Sequence, residues 1–231
     1  MPQHIGIVGC SSEGAALCYR TICEEGSQML GSYAHPEVSL HTPSFASYVD
    51  CLERDDLQGV ADLMLQSATK LAAIGADFLI CPDNTLHQAF DLVKPRSPLP
   101  WIHIAEVAAA EAKRRRYRKV GILGTIWLVK SSVYVDALTA QGLEIMRPEN
   151  EERDHINHII MNELVHGDFK PASVGYFQQV IKRLKERGCD SVVLGCTEIP
   201  LIINDQNSVL PTLDSTRLLA RAALTRAVYQ V

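Results

Sequence analysis

Short apolar runs alternate with longer amphipathic stretches along this chain. The apolar runs are too short for helices and rich in Val, Ile and Leu, which is typical of buried strands. Strands separated by amphipathic helices predict βα units around a mostly parallel sheet, and therefore the α/β fold class. The strand-like runs lie at residues 5–8, 38–40, 78–81, 120–123 and 191–194, and helical spacing recurs over 55–74, 102–116, 153–165 and 171–187.

The order of these elements repeats in the second half of the chain. Gly9, after the first apolar run, has a counterpart in Gly124, and Asp83 has a counterpart in Cys196. A repeat of this size predicts two pseudo-symmetric lobes, each a mostly parallel sheet flanked by helices. Ligands of such sheets bind beyond the carboxyl ends of the strands, so we expect the active site in the cleft between the lobes. We assign residues 1–98 and 216–231 to the first α/β lobe and residues 99–215 to the second.

Composition narrows the class of protein. The chain has 231 residues and a formal net charge of -5, which gives no reason to expect nucleic acid or a membrane surface as partner. No apolar stretch is long enough to cross a membrane, and the first residues lack the pattern of a signal peptide, so we expect a cytoplasmic protein. The seven cysteines, an odd number without a CxxC pair, argue against a disulfide framework and against a zinc site.

The segment 195–200, Gly-Cys-Thr-Glu-Ile-Pro, holds the sharpest candidate for chemistry. Cys196 follows an apolar strand and precedes a helix start, where backbone N–H groups favour a thiolate. Such a thiolate could act as a base. The alternative is a buried structural cysteine, and position alone does not separate the two.

The equivalent segment of the first lobe offers different groups. Asp83, Asn84 and Thr85 place a carboxyl group, an amide and a hydroxyl at the end of a strand. By itself such a loop is an ordinary turn or helix cap. Its symmetric relation to Cys196 suggests more, because two acid/base groups could handle a proton on opposite faces of one carbon. Asn84, Thr85 and Thr197 could then hold a carboxylate.

These segments together resemble the aspartate/glutamate racemase superfamily, whose amino-acid racemases use no pyridoxal phosphate. The resemblance implies two pseudo-symmetric α/β lobes, no cofactor, a homodimer, and a small carboxylate or amino acid as substrate. The family includes hydantoin racemases, and its relatives include arylmalonate decarboxylase and maleate isomerase. The resemblance covers the whole chain and rests on residues 9–12 (Gly-Cys-Ser-Ser), 84–87 (Asn-Thr-Leu-His), 124–125 (Gly-Thr), 195–200 and 213–215 (Leu-Asp-Ser).

The chain departs from the family pattern in the first lobe. Racemases of this family usually carry two opposed cysteines, whereas Asp83 stands here in the place of the first. Cys81 lies two residues earlier, which along a strand is roughly 6–7 Å deeper, so we prefer Asp83 as the catalytic group. Because the ordinary pKa values of a carboxylic acid and a thiol differ widely, we expect the two faces of the substrate carbon to be served unequally.

Further residues are candidates for substrate contact. Ser11 and Thr125 follow the glycines of the two equivalent turns, and Ser11 is equally suited to capping the next helix. His166 stands where racemases of acidic amino acids can place a cation. His155 and His158 have helical spacing but lack a third ligand, so we expect no metal site. The first glycine turn lacks the GxGxxG pattern, and we therefore expect no dinucleotide.

The leading interpretation is a cofactor-independent amino-acid racemase or epimerase. Cys196, as a thiolate, removes the α-proton from one face, which is that of the L-substrate if the family's assignment carries over. Asp83, or a water molecule on it, returns a proton to the other face. Two alternatives stay open: a single-cysteine decarboxylase or isomerase of the same superfamily, and a catalytically inactive protein that binds small carboxylates.

Overall fold

The computed structural model describes residues 1–230, which alternate between strands and helices. No helix within this range combines the length and the apolar character that a membrane span needs. The strands are β1 (Ile5–Val8), β2 (Val38–His41), β3 (Phe78–Ile80), β4 (Trp101–Ile102), β5 (Lys119–Leu123), β6 (Glu144–Met146), β7 (Ser191–Leu194) and β8 (Thr212–Asp214). The helices are α1 (Ser12–Leu30), α2 (Phe45–Glu53), α3 (Leu57–Ala73), α4 (Phe90–Val93), α5 (Ile104–Arg114), α6 (Ile126–Lys130), α7 (Val133–Ala140), α8 (Asn150–Asn162), α9 (Pro171–Glu186) and α10 (Ser215–Tyr229).

Two compact units with the same topology make up the chain. One contains Met1–Ile104 and the segment that begins at Thr216, and the other contains Ala105–Ser215. Their four-stranded sheets have the orders β2-β1-β3-β4 and β6-β5-β7-β8. Neighbouring strands pair in parallel in both sheets. The predicted α/β class, with two similar halves, is thereby confirmed.

The inner strands are the apolar runs that the sequence shows. β1, β3 and β7 are buried along their whole length, as parallel strands covered on both faces must be. The outer strand β2 is only partly buried. β4, β6 and β8 have two or three residues each, too few for a recognisable alternation, so they have no signature in the sequence pattern.

The first unit includes segments from both ends of the described chain. β4 pairs with β3, through Leu79 and Trp101, so this unit continues to Ile104. α10 belongs to it as well, because the Arg221 guanidinium lies 2.8 Å from the Glu25 carboxylate of α1. These contacts bring a late segment back to the sheet that begins with β1.

Candidate active site

The strand order places particular loops side by side within each unit. In the first unit the order reverses between β1 and β3, and in the second between β5 and β7. Parallel α/β sheets bind ligands beyond the carboxyl ends of strands at such switch points. The loops that follow these strands begin at Gly9 and Cys81 in the first unit and at Gly124 and Gly195 in the second. Each unit therefore brings two of the predicted site loops together.

Asp83 lies in the loop after β3 and is partly exposed. Its carboxylate Oδ1 accepts the backbone N–H of Leu86 at 2.9 Å, as an N-terminal capping side chain does. The residues that follow, Thr85–Ala89, form a 3-10 helix. The capping role that the sequence allowed for this loop is therefore present, and Asp83 also stays accessible to solvent.

His87 fixes the Asp83 loop through hydrogen bonds to the backbone. Its ring is buried, Nδ1 lies 2.7 Å from the Asp83 carbonyl oxygen, and Nε2 accepts the backbone N–H of Ile104 at 3.4 Å. This pattern requires the neutral tautomer with its proton on Nδ1. Burial, with a smaller contribution from His103, holds the pKa of His87 well below its usual value. A ring fixed at both nitrogens positions the loop and is not placed to act as a base.

Cys81 does not have the properties of a displaced catalytic thiol. It is fully buried, with its sulfur 4.0 Å from the Asp83 carbonyl oxygen. Burial raises the pKa of this thiol well above its ordinary value, and the charge of Asp83 adds to the effect. Cys81 therefore stays a neutral thiol near neutral pH.

Tyr48 of α2 is a neighbour of this loop that has no signal in the sequence. Its side chain is completely buried, and burial raises the pKa of its hydroxyl. Electrostatic interactions with Cys81, Cys10 and Asp83 raise the pKa of the Tyr48 hydroxyl further, so Tyr48 is a neighbour of these groups. An aromatic residue in an amphipathic helix is ordinarily a packing residue, which explains why nothing in the sequence marks Tyr48.

The other predicted contacts of the first unit lie on the same two loops. Asn84 and Thr85 follow Asp83 and are almost completely buried, at 2% and 6% exposure. Ser11 is also buried, and its hydroxyl caps α1 by accepting the backbone N–H of Gly14 at 3.2 Å. The capping alternative for Ser11 is therefore present in the structure.

Glycines allow the strand ends of the second unit to approach each other closely. The backbone N–H of Gly195 donates to the Leu123 carbonyl oxygen at 2.7 Å. A Cβ atom on Gly195 would lie 2.7 Å from that same oxygen and 2.7 Å from Leu128 Cδ2. Only glycine fits at this position, and the next residue, Cys196, is held at the edge of the sheet beside the β5 loop.

Cys196 is 8% exposed and belongs to the buried cluster that includes Leu123, Leu194 and Ile199. Its thiol donates to Glu198 Oε2 at 2.8 Å. The Thr197 hydroxyl donates to the same oxygen at 2.9 Å. Glu198 is itself only 3% exposed, so its buried carboxylate accepts hydrogen bonds from the side chains of both preceding residues.

Glu198 was not assigned a role from the sequence. The signal that could have marked it is a charged residue in an otherwise apolar segment, next to Ile199, since a carboxylate is almost never fully buried without partners. The two partners that the structure gives it, Cys196 and Thr197, were both predicted site residues.

Thr125 and His166 occupy different environments in the second unit. Thr125 is buried and caps α6, where its hydroxyl oxygen accepts the backbone N–H of Leu128 at 3.3 Å. His166 is exposed at the end of a short 3-10 helix, Leu164–His166. Leu164 anchors that turn in the buried cluster that contains Cys196.

His155 and His158 are exposed on α8, with ring centroids 6.4 Å apart. Residues 1–230 contain no group of three or more His, Cys, Asp or Glu side chains arranged to hold a metal ion. The seven cysteines all lie in this range, and none of them forms a disulfide there.

Comparisons with known proteins agree with this architecture. The family model of the Asp/Glu/Hydantoin racemases matches residues 7–223. A broad specificity amino-acid racemase, RacX, from Bacillus subtilis (strain 168) is 24% identical over 201 residues, which are 85% of this chain and 84% of that protein. An aspartate racemase homologue from Pyrococcus horikoshii OT3 is 28% identical, with a TM-score of 0.83 over 99% of this chain and 100% of that chain.

Picrophilus torridus aspartate racemase shares the fold at 18% identity, with a TM-score of 0.81 over 98% of this chain and 94% of that chain. The family match spans both units and includes all the predicted catalytic and substrate-binding residues. The chain therefore belongs to the Asp/Glu/hydantoin racemase family, and its homologues support an isomerase of the amino-acid racemase type.

Proposed function

We propose that the protein is an amino-acid racemase or epimerase that works without pyridoxal phosphate and exchanges the α-proton of its substrate through Cys196 and Asp83. One observation carries the proposal. Cys196 follows β7 and Asp83 follows β3, so the two residues occupy equivalent places in two units of identical strand order. A reaction that inverts one carbon needs this kind of pair, because a proton leaves one face and returns to the other.

Each residue has a distinct part in the proposed reaction. The Cys196 thiolate takes the α-proton and becomes a thiol, and the electron pair passes into the substrate carboxylate as an enediolate. Asn84 and Thr85 donate hydrogen bonds to that carboxylate, which lowers the energy of the negative charge as it develops. Asp83 in its carboxylic acid form, or a water molecule bound to the ionised carboxylate, gives a proton to the opposite face of the carbon.

In this mechanism the proton is exchanged at different rates on the two faces of the substrate carbon. A thiol and a carboxylic acid differ by several units in ordinary pKa, so they are not interchangeable as base and acid near neutral pH. An ionised Asp83 carboxylate also repels the negative charge that forms on the substrate. Exchange of the α-proton through Cys196, which we assign to the L-enantiomer, should therefore be faster than exchange of the D-enantiomer through Asp83.

A second candidate function is a decarboxylase or isomerase of this family that uses Cys196 alone. It is favoured by the hydrogen bond from the Leu86 N–H to Asp83. Because this capping interaction is a sufficient structural role for the carboxylate, Asp83 does not need a catalytic role as well. A decarboxylase needs only one proton donor, since its substrate loses CO₂ in place of a proton. A protein that binds small carboxylates without turnover is the third possibility.

Exchange of the α-proton with deuterium oxide distinguishes these functions. A panel of L- and D-amino acids is incubated with the protein, and loss of the α-proton signal is followed by NMR. The proposal predicts exchange for at least one amino acid, with a higher rate for one enantiomer. Loss of CO₂ from a malonate without exchange of any amino acid would support the decarboxylase, and binding without either reaction would support the inactive protein.

The substrate's side chain, a homodimeric assembly and a cytoplasmic location remain predictions. His166 is exposed at the position where racemases of acidic amino acids can place a cation, so the panel should include basic, acidic and apolar side chains. Sedimentation of the purified protein would test the dimer.

A further inference from the structure

Glu198 has a geometry that no part of the proposed mechanism uses. Its carboxylate is 3% exposed, and its Oε2 accepts both the Cys196 thiol at 2.8 Å and the Thr197 hydroxyl at 2.9 Å. Burial of a carboxylate is costly, so a position with two neutral donors as its partners calls for an explanation.

The first consequence concerns the direction of the Thr197 hydroxyl. A threonine hydroxyl has one O–H to donate and two lone pairs that accept. Thr197 directs its O–H to Glu198, so its hydroxyl can act toward a ligand only as an acceptor. The expectation that Thr197 donates to a substrate carboxylate does not fit this direction. The group that Thr197 can bind in this arrangement is a donor.

The second consequence concerns charge. Cys196 and Glu198 are joined by one hydrogen bond, in which the thiol donates to the carboxylate, so the pair carries one negative charge. The buried side chains around the pair keep its field from being screened by water. A negative charge beside an acceptor hydroxyl favours a cation with N–H donors and disfavours an additional carboxylate.

We propose that Glu198 makes the Cys196–Thr197 side of the site selective for a substrate with an ammonium group on the reacting carbon. The inference rests on the proposed function and assigns its specificity to a named residue. It predicts that dicarboxylates without nitrogen, such as malonates, bind poorly. Glu198 acts here through Thr197 and through its charge, and is therefore a positioning residue.

Ligand pairs that differ in one group test the proposal. Alanine and lactate share one carbon skeleton, as do aspartate and malate, and in each pair an ammonium group is replaced by a hydroxyl. Dissociation constants of both members are measured by calorimetry, for each amino acid that binds and its hydroxy counterpart. Because unfolding or distortion weakens both members together, the ratio of the two constants reports selectivity alone.

The wild-type protein should bind the amino acid at least tenfold more tightly than the hydroxy acid, since hydrogen bonds to charged groups are the stronger kind. Glu198→Gln removes the charge and supplies an N–H donor to Thr197, so the preference should fall by about tenfold. Glu111→Gln is the matched control, because Glu111 is paired with Arg114 and Arg115 on α5 and takes no part in the site. Its ratio should equal that of the wild type.

A second variant covers the case in which Glu198→Gln does not fold. Thr197→Val removes the acceptor and should lower the same ratio, whereas Thr197→Ser keeps the hydroxyl and should preserve it. Equal affinities for both members in the wild type, or an unchanged ratio in Glu198→Gln and Thr197→Val, would overturn the inference. Failure to bind any amino acid of the panel would overturn it together with the proposed function.

Deuterium exchange on the same proteins separates the two claims. Selective binding of amino acids that depends on Glu198, without α-proton exchange, would refute the proposed racemase and leave the inference standing. Exchange that proceeds while Glu198→Gln keeps the full preference would refute the inference and leave the racemase standing.

Discussion

Asp83 has two separable roles in this account, and two substitutions divide them. Its carboxylate caps the 3-10 helix Thr85–Ala89 by accepting the Leu86 N–H at 2.9 Å. Asn caps as well as Asp does, whereas Ala cannot accept this hydrogen bond. Asp83→Asn therefore keeps the cap and removes the acid/base group, and Asp83→Ala removes both.

The expected magnitudes follow from these two roles. Loss of the cap leaves the N–H of buried Leu86 without its partner, so Asp83→Ala should lower the free energy of unfolding by about 1 kcal/mol. For a protein of this size, that corresponds to a melting temperature lower by about 2–4 °C. Asp83→Asn should lie within about 0.5 kcal/mol of the wild type.

Both variants should lose proton exchange on the face that Asp83 serves. General acid/base catalysis contributes typically ~10²–10⁴-fold, so exchange of the slower enantiomer should fall by about 100-fold or more in each. Urea unfolding and deuterium exchange are measured on the same preparations. Unchanged exchange of both enantiomers in Asp83→Asn would leave Asp83 with only its capping role, and unchanged stability in Asp83→Ala would contradict the cap.

Three further outcomes are expected from the rest of the site. Gly195→Ala should lower the free energy of unfolding by about 1–3 kcal/mol and remove most of the exchange activity, because its Cβ would lie 2.7 Å from the Leu123 carbonyl oxygen. Gly175→Ala in α9 is the control and should not lower stability, since a Cβ atom there would have nothing within 4 Å. Cys81→Ala should retain at least half of the exchange rate, because the buried thiol of the wild type stays neutral. A loss as large as that expected for a catalytic residue would show that Cys81 takes part in the reaction. Exchange should survive dialysis against a chelator, and a loss that added zinc restores would refute the cofactor-free mechanism.

The fold could be predicted from the sequence where burial leaves a continuous apolar run. β1, β3 and β7 are buried on both faces, and their sequences show it directly. The outer strands β6 and β8 are three residues long, which is too short for a period to emerge. Their presence depends on pairing with neighbours, which is a tertiary effect.

The sequence predicted the positions of the candidate site residues, but it did not determine the role of Asp83 in the first unit or the partner of Cys196 in the second. Strand ends and glycines marked the positions of Asp83 and Cys196, but the sequence left open whether Asp83 caps a turn or exchanges protons. The structure shows the cap, and the chemistry remains to be measured. Glu198 was missed as a partner of Cys196 because no periodic pattern describes a side chain that turns back onto its own loop.

Cys196→Ser tests the central claim most directly, because it exchanges one sulfur for oxygen in the residue proposed to take the α-proton. Serine is a far weaker base than a thiolate at neutral pH and should fit the same buried space. The measurement is deuterium incorporation at Cα of an amino acid that the wild-type protein exchanges, with the fold checked by circular dichroism. The account predicts a folded variant that has lost nearly all exchange; a folded variant that keeps more than half of the wild-type rate would contradict it.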